Sequence, residues 1–561
     1  MPTLTRPGVY VDVSNFPAYV AATPGNAAAA FVGMASRGPI MRPIIVNSWR
    51  EFTSWFGTFD PNADPSYRNF YLAVYAFFSV GGTSCVCIRM TTTSSQPQPA
   101  STILDDNGGQ AGTSTQPTLE VVAANPGVWG SGAPANPQGG LYVDIVPGSL
   151  SAPGTPGGPG TAPGTPGAIQ VFTIVVKLGG PNPVNIVETI QNLQMGTGPS
   201  GAPGTGQVNY APAVVNSPYT GSKYINLIDK FSTNTSPTNN PAPVTAQPLT
   251  NGLDGNNPAS PPASVPVPGL TDYMNAVSLL DQYPDQPFVL NLCGEYDPQI
   301  VGGVVTGYAA PRGNIFMVLD PPPGYLPNPM VNWASSLSFR SSIAALYYPQ
   351  LIIADPYTSQ PGQTRTVAPG GFVVGMYLVT DNSRGVAKAP AGLATSLGGV
   401  YGVEPTGITT NIDQGNLNQN NVNCLIPVPG YGVVIWGTRT LSEFLITRYV
   451  PVARTLIYLA TEFVALTKFA VFEPNDYVLW SSINSVLSQF LSGFWQSGGL
   501  QGMSAGDAYY VTCDQTNNTP SSIQQGIVNV EIGVALQYPA EFVVITIGQW
   551  AGGQNVAIAA A

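Results

Sequence analysis

The chain changes character twice, and the change limits what each part can become. From Thr91 to Pro268 it is dominated by Pro, Gly, Ser, Thr and Asn, with Pro-Gly repeats at 153–167 and a second low-complexity tract at 231–268. No arginine occurs between Arg89 and Arg312. Sequence of this kind carries no helical period. Five β-branched or aromatic runs stand out in it: Leu119–Ala123, Leu141–Val146, Val171–Leu178, Val184–Ile190 and Tyr224–Ile228. Short runs punctuated by Gly and Pro predict a small all-β domain with long loops. We read 91–268 as an insertion that projects outward from the rest. The 153–167 tract has no core of its own, so it should tolerate shortening.

The flanks read as α/β. Val9, Val11 and Val13 alternate with Tyr10 and Asp12, which predicts a short strand over 7–13. Ala27 to Gly33 reads as an apolar strand. Ser48 to Gly57 reads as a capped helix, with Ser48 at the N-cap, Glu51 three residues on and Gly57 past the end. Phe70, Ala73, Val74, Phe77 and Phe78 form a helical stripe over 69–80, stopped by Gly81-Gly82, and Cys85 to Met90 is the next strand. Beyond the insertion, Leu270 to Leu280 is helical. Phe288–Cys293, Ile315–Leu319 and Gln350–Ala354 read as strands of a covered parallel sheet, with a helix over Trp333–Tyr347 before the last. Two long helices follow, Val450 to Val471 and Tyr477 to Gln496, the second capped by Asn475 or Asp476 and ended by Gly498-Gly499. Strands are predicted at about 508–513, 526–534 and Phe542–Ile547, before a small-residue tail.

Composition narrows the function. Charged residues make up 8% of the 561, against roughly 25% in ordinary soluble domains. The hydrophobic share of 43% excludes general disorder. So sparse a charge favours a surface covered by copies of the same chain over a secreted or glycan-rich surface protein. The net charge of −11 argues against direct nucleic-acid binding. Cys85, Cys87, Cys293, Cys424 and Cys513 are scattered and odd in number, which fits buried free thiols from a reducing cytoplasm and not a disulfide framework. The first residues lack the apolar core of a secretory signal. The apolar 449–472 segment contains Arg454, Glu462 and Lys468, which makes it a core helix and not a membrane insertion.

Chemistry is constrained further by the absence of any histidine. That removes the commonest general base and metal ligand together. Gly502-Met503-Ser504-Ala505-Gly506 matches a nucleophile elbow, but no Ser-His-Asp triad can form, so it reads as a turn. Gly130-Ser131-Gly132 sits in Pro-rich sequence and makes a poor dinucleotide loop. Asp105-Asp106 reads as a pair of solvated loop acids. No catalytic, cofactor-binding or metal-ligating residue is assigned, and the chain is expected not to be an enzyme.

The C-terminal strings are more specific. Gly430-Tyr431-Gly432-Val433-Val434-Ile435-Trp436-Gly437-Thr438-Arg439-Thr440 is followed by Tyr449-Val450-Pro451-Val452-Ala453-Arg454, Val471-Phe472-Glu473-Pro474-Asn475-Asp476, Leu479-Trp480 and Tyr538-Pro539-Ala540-Glu541-Phe542. In that order they resemble the C-terminal domain of contractile tail sheath proteins, the subunits of the outer cylinder of contractile phage tails and related injection machines. Ala344-Ala345-Leu346-Tyr347-Tyr348-Pro349, Asp355-Pro356, Gly375-Met376-Tyr377, Asp381, Arg384-Gly385-Val386 and Lys388-Ala389-Pro390-Ala391-Gly392 resemble the family's middle domain. Pro7-Gly8-Val9-Tyr10, Phe31-Val32-Gly33, Phe56-Gly57 and Arg89 resemble its N-terminal part, and Asn125-Pro126-Gly127-Val128-Trp129-Gly130 a turn that it often carries. The resemblance covers roughly 7–90 and 250–550. Thr438 and Ala453 stand where the family often has Ala and Arg.

The resemblance implies an α/β and α+β multidomain protein. Its expected parts are an N-terminal arm (1–25), an α/β part of the core (26–90), the β-rich insertion (91–268), a non-catalytic subtilisin-like α/β middle domain (269–430), an α+β C-terminal domain (431–541) and a C-terminal arm (542–561). Most quoted residues are expected to build the fold, with Trp436 and Trp480 as core aromatics, Pro474 as a helix start and Arg439 paired with Glu473. The family works as hexameric rings stacked helically around an inner tail tube, contracting on a baseplate trigger and capped by a tail terminator protein. The implied place is the virion tail, assembled in the bacterial host cytoplasm. Val9, Tyr10, Val11, Asp12 and Val13, with Phe542, Val543, Val544, Ile545, Thr546 and Ile547, are the candidate inter-subunit strands. The motif-free competitor is another self-assembling component of a capsid, surface layer or fibre.

Overall fold

A computed structural model of the chain describes residues 28–59, 65–92, 98–107, 115–132, 140–151, 168–195, 209–217, 220–232, 239–252, 268–358, 360–404, 411–541, 547–551 and 554–558. The expected strand over 7–13, residues 542–546 of the expected last strand and the 153–167 tract lie outside them.

Two distant stretches of chain build one sheet. The N-terminal stretch gives β1 (Ala28–Gly33), β2 (Pro43–Val46) and β3 (Cys85–Arg89). The insertion then contributes β4 (Ser101–Asp105), β5 (Pro117–Ala123), β6 (Leu141–Ser151), β7 (Ala168–Leu178), β8 (Ile186–Leu193), β9 (Ile225–Asp229) and β10 (Val244–Pro248) to sheets of its own. After it come β11 (Phe288–Asn291), β12 (Ile315–Leu319), β13 (Ala344–Tyr348), β14 (Gln350–Ala354), β15 (Thr364–Val367), β16 (Val400–Glu404), β17 (Val422–Val428) and β18 (Gly432–Ile435). The main sheet has eight strands in the order β18-β17-β13-β12-β11-β1-β3-β2. The run from β17 to β3 is parallel, and β18 and β2 join its ends antiparallel. Every residue of β3, β11, β12 and β13 is buried, as a sheet covered on both faces requires.

Local chemistry explains the covering helices. Ser48 caps the Trp49–Phe56 helix by accepting from the Glu51 N–H, while the Glu51 carboxylate reaches back to the Asn47 N–H at 2.9 Å. Phe52, Phe56 and Phe70 interlock with ring centroids 5.0–5.5 Å apart, tying that helix to the Pro65–Ser79 helix. The Gly370–Arg384 helix packs on the latter through Gly371 and Gly375. A Cβ on Gly371 would lie 2.2 Å from the Ala73 carbonyl oxygen, and one on Gly375 2.4 Å from Val80. Its first turn is held by the buried Asp320, which accepts from the N–H groups of Gly370 at 2.7 Å and Gly294 at 2.9 Å.

Two expectations for the middle region are corrected. The helix expected over Trp333–Tyr347 runs instead over Pro327–Ser336, and the core strand is β13. Gln350–Ala354, expected in the parallel sheet, is β14 of a separate antiparallel sheet ordered β15-β14-β16. The backbone turns extended at Leu337, and the continuous apolar run Ala344–Tyr348 has no period to separate a buried strand from a buried helix.

Among its described residues the insertion is all-β apart from one short helix, Ala211–Val215, and two 3-10 turns, Val128–Gly130 and Pro183–Asn185. A four-stranded sheet, β10-β6-β7-β8, shares one core with a three-stranded sheet, β4-β5-β9. Leu119, Val121 and Leu227 meet Val143, Phe172 and Ile174 there. β6 and β7 stay paired as far as Ser151↔Ala168, so residues 152–167 join the ends of two paired strands.

In the C-terminal region the Val450–Thr467 and Tyr477–Gln496 helices pack with β19 (Tyr509–Thr512) and β20 (Glu531–Val534). Asp476 is the cap, accepting from the Val478 and Leu479 N–H groups, and Gly498, at φ +83°, lets the chain turn away. Trp480 is buried and donates to Asn475 Oδ1 at 2.8 Å. Trp436 is not the core aromatic expected of it: it follows edge strand β18 and is 43% exposed. The Val450–Ala470 segment is long and apolar enough to cross a membrane, but 72% of that window is buried in the protein, including Arg454 and Glu462. The small-residue tail contains a hairpin, β21 (Ile547–Ala551) paired with β22 (Gln554–Ile558). All five cysteines are free and buried, with the Cys85 and Cys87 sulfurs 3.7 Å apart.

Candidate functional site

Nothing among the described residues resembles a catalytic centre. Ser504 caps the four-residue Ala505–Ala508 helix and its hydroxyl donates to Asp507 Oδ2 at 2.7 Å, so the nucleophile-elbow string serves a turn. No group of three or more His, Cys, Asp or Glu there can hold a metal ion.

The clearest edge is the β19–β20 pair. It is a two-stranded sheet, registered Tyr509↔Val534 to Thr512↔Glu531, and both outer edges are unpaired among the described residues. One face, Tyr509, Val511, Ile532 and Val534, packs on the two helices. On the other, the half-exposed Tyr510 donates to Glu531 at 2.9 Å. A pair this narrow is marginal in water, and its free edges expose rows of backbone donors and acceptors.

From β20 the chain runs back along the molecule. Leu536 bridges Leu500, and Gln537 donates to the Gly498 carbonyl at 2.7 Å. At Glu541 the chain is clamped. Arg439 donates from Nε and a terminal nitrogen to the two carboxylate oxygens, each at 2.8 Å; Asn418 and Tyr449 add one hydrogen bond each, also 2.8 Å. Burial alone pushes the Glu541 carboxyl up, but Arg439, Asn418 and Tyr449 outweigh it and hold the group below its usual range. Arg439 is itself fixed to the sheet. Its N–H donates to Asn423 Oδ1 at 2.6 Å, and Asn423 on β17 donates to the Leu346 carbonyl of β13 at 3.1 Å. This corrects the expected Arg439–Glu473 pair, since Glu473 is exposed beside the start of the second long helix. Next to the clamp lies a groove of about 1150 Å³, walled by Arg384, Lys388, Trp436, Phe494 and Gln537.

A second buried contact joins the C-terminal helices to the core. Arg454 makes a bidentate pair with Asp381, and its guanidinium lies 4.7 Å from the Tyr377 ring centroid. The Tyr377 hydroxyl meets that of Tyr347 on β13. The insertion is attached differently. The Arg37 guanidinium lies 5.4 Å from the Trp129 ring and 5.5 Å from the Tyr224 ring, Lys223 lies over Trp55, and Arg89 donates to the Gly38 and Pro126 carbonyls.

The sequence-expected strand residues fall mostly outside this picture. Val9, Tyr10, Val11, Asp12, Val13, Phe542, Val543, Val544, Ile545 and Thr546 lie outside the described residues, and Ile547 opens β21, paired with Ile558. Sequence reading missed both arginine clamps, although all four charged partners stand inside the strings quoted for the family resemblance.

Comparison with known proteins agrees with these strings. Residues 447–549 match the phage tail sheath C-terminal domain family. A stretch of the chain is similar to the tail sheath protein of Enterobacteria phage T4, 30% identical over 169 residues. That match takes in 29% of this chain and 24%, about a quarter, of the T4 protein's length. Among solved structures, the sheath tail protein of Listeria innocua superposes with a TM-score of 0.55 at 12% identity, covering 88% of this chain and 90% of that one. The helical sheath of the anti-feeding prophage in its contracted state gives 0.52 at 18% identity, covering 98% and 100%. The PVC sheath complex of an extracellular contractile injection system, also contracted, gives 0.51 at 19%, covering 98% and 99%. At these identities the likeness is one of fold.

Proposed function

We propose that the chain is the structural subunit of a contractile tail sheath. In this reading copies stack as hexameric rings in a helical lattice around an inner tail tube, between a baseplate and a tail terminator, and contract to drive the tube through the target envelope. The observation that supports it most is the coincidence of the 447–549 family match with a unit whose narrow sheet has two edges open among the described residues. Terminal arms of neighbouring copies, 1–25 and 542–561, complete that sheet by β-augmentation. The difference in contact free energy between two lattices does the work, with no catalysis, nucleotide, cofactor, nucleic-acid contact or membrane insertion by this subunit. The middle domain is subtilisin-like in fold only, and the insertion 91–268 projects outward. The subunit is assembled in a bacterial cytoplasm and acts in a virion tail or a related extracellular particle. Electron microscopy of the purified full chain tests this: tubes or stacked rings are expected, and removal of 1–16 or of 542–561 should leave a folded monomer that forms none. A monodisperse monomer under all conditions, or truncated chains that still form sheaths, overturns the reading.

A further inference from the structure

We propose that Glu541 is a positioning residue that fixes the point and direction at which the C-terminal arm leaves the subunit, by locking that point to the core sheet. The inference rests on the reading of 542–561 as an inter-subunit arm. The geometry is that of a mechanical ground. Between β20 and Glu541 the attachments are spread along the chain: Ala535 donates to the Ala508 carbonyl and accepts from the Gln501 N–H, Leu536 bridges Leu500, Gln537 donates to the Gly498 carbonyl, and the Tyr538 ring meets Tyr449. At Glu541 four hydrogen bonds converge on one carboxylate from three separate places: Asn418 on the Asn411–Gln419 helix, Arg439 after β18, and Tyr449 at the start of the Val450–Thr467 helix. Arg439 also donates to the Asn418 carbonyl at 2.9 Å, so two of the three holders are tied to one another. Through Asn423 the clamp continues into β17 and β13, the parallel strands of the main sheet. A bidentate guanidinium–carboxylate pair constrains angle as well as distance. Rotation of the core therefore carries the arm's root with it. A strand rooted on a loose tail would instead lag behind, and its partner subunit would feel no defined displacement.

The side chain has no part in a hydrophobic core, which makes it separable from folding. Glu541→Ala should raise amide exchange rates over residues 535–541 by about 10- to 100-fold, the loss of a charge-assisted contact, while the rest of the C-terminal unit keeps its protection. Tube yield should fall, and those tubes that form should lose uniform helical order. Glu541→Gln, which keeps part of the hydrogen bonding, should lie between, and Tyr449→Phe should raise the same local rates about five-fold with unchanged melting. If the alanine variant fails to fold, the Gln and Phe variants decide by the same local exchange. Wild-type exchange rates in these variants overturn the anchor. Loosened exchange with wild-type tube yield and helical geometry overturns its role in assembly. If the unaltered chain forms no tubes at all, the sheath reading fails while the exchange data still decide the anchor.

Discussion

The insertion and the C-terminal unit are fastened to one sheet by opposite chemistry. At the insertion seam the cations Arg37, Arg89 and Lys223 face aromatic rings and backbone carbonyls. At the C-terminal junction Arg439 and Arg454 face Glu541 and Asp381. Rings and carbonyls do not protonate as a solution is acidified, so the seam keeps its contacts in acid. The Glu541 clamp does not. Glu541 is held below its usual range, so its contribution is fully present above the unfolded carboxylate pKa and is lost as pH falls through the folded value. In a chain with only 18 basic residues, five are spent on these two attachments. One joint is indifferent to pH, and the other can be released by it.

The comparison breaks most sharply at Arg454. It is buried, and burial lowers its pKa, but Asp381 with Tyr377 and Tyr347 outweighs that and raises it above the ordinary value. Arg454→Ala leaves the Asp381 carboxylate at an apolar interface without its partner, and should cost about 3–5 kcal/mol. Urea unfolding should show the C-terminal helices lost before the insertion. A cost below about 1 kcal/mol would mean that water already solvates the pair, and the contrast between the joints would shrink. A smaller effect is expected at the seam. Arg37→Ala removes a guanidinium held between two rings, for about 1–2 kcal/mol. Exchange should rise at 125–130 and 222–225, equally at pH 4.5 and 7, while the β6–β7 ladder stays protected. Loss of that ladder would make the seam part of the insertion's own core.

The smallest effect concerns Glu462, on the helix that carries Arg454. Its side chain is buried, its Oε1 has no hydrogen-bond partner among the described residues, and burial pushes its pKa up to about 7. The folded state therefore binds a proton that the unfolded state releases, and stability falls as pH rises from the ordinary carboxylate range through about 7. Glu462→Gln should melt higher than the unaltered chain at pH 8, by about 1 kcal/mol, with the advantage gone by pH 5. Equal melting at pH 8 would show the carboxylate to be hydrated.

What the sequence made legible follows the range of the interactions. The Ser48 and Asp476 caps, the Gly498 stop and the two long C-terminal helices depend on residues a few positions apart, and each is found where expected. The Gly370–Arg384 helix was missed because it is buried on nearly every side and opens with Gly370-Gly371, so it has neither an amphipathic stripe nor good propensity. β4 and β10 are short and polar enough to pass for loop. The clamps were hidden for a different reason. Arg439 and Glu541 stand 102 positions apart, and Arg454 and Asp381 stand 73 apart. Local pattern carries no information about which charge meets which, and Glu473, nearer in sequence to Arg439, was the natural wrong partner.

The buried thiols have a practical consequence. Burial pushes the Cys87 and Cys293 thiols well above their ordinary range, Cys424 up to about 12 and Cys513 up to about 11. Only the thiolate reacts with alkylating dyes or oxidants, and every cysteine of the chain is enclosed. The folded surface therefore offers no cysteine thiol to such reagents. Met503, on the turn before the Ala505–Ala508 helix, is wholly exposed. A cysteine introduced there would be the single addressable thiol on each copy, and a fluorophore attached to it would report on one known position without removing any native residue from the core.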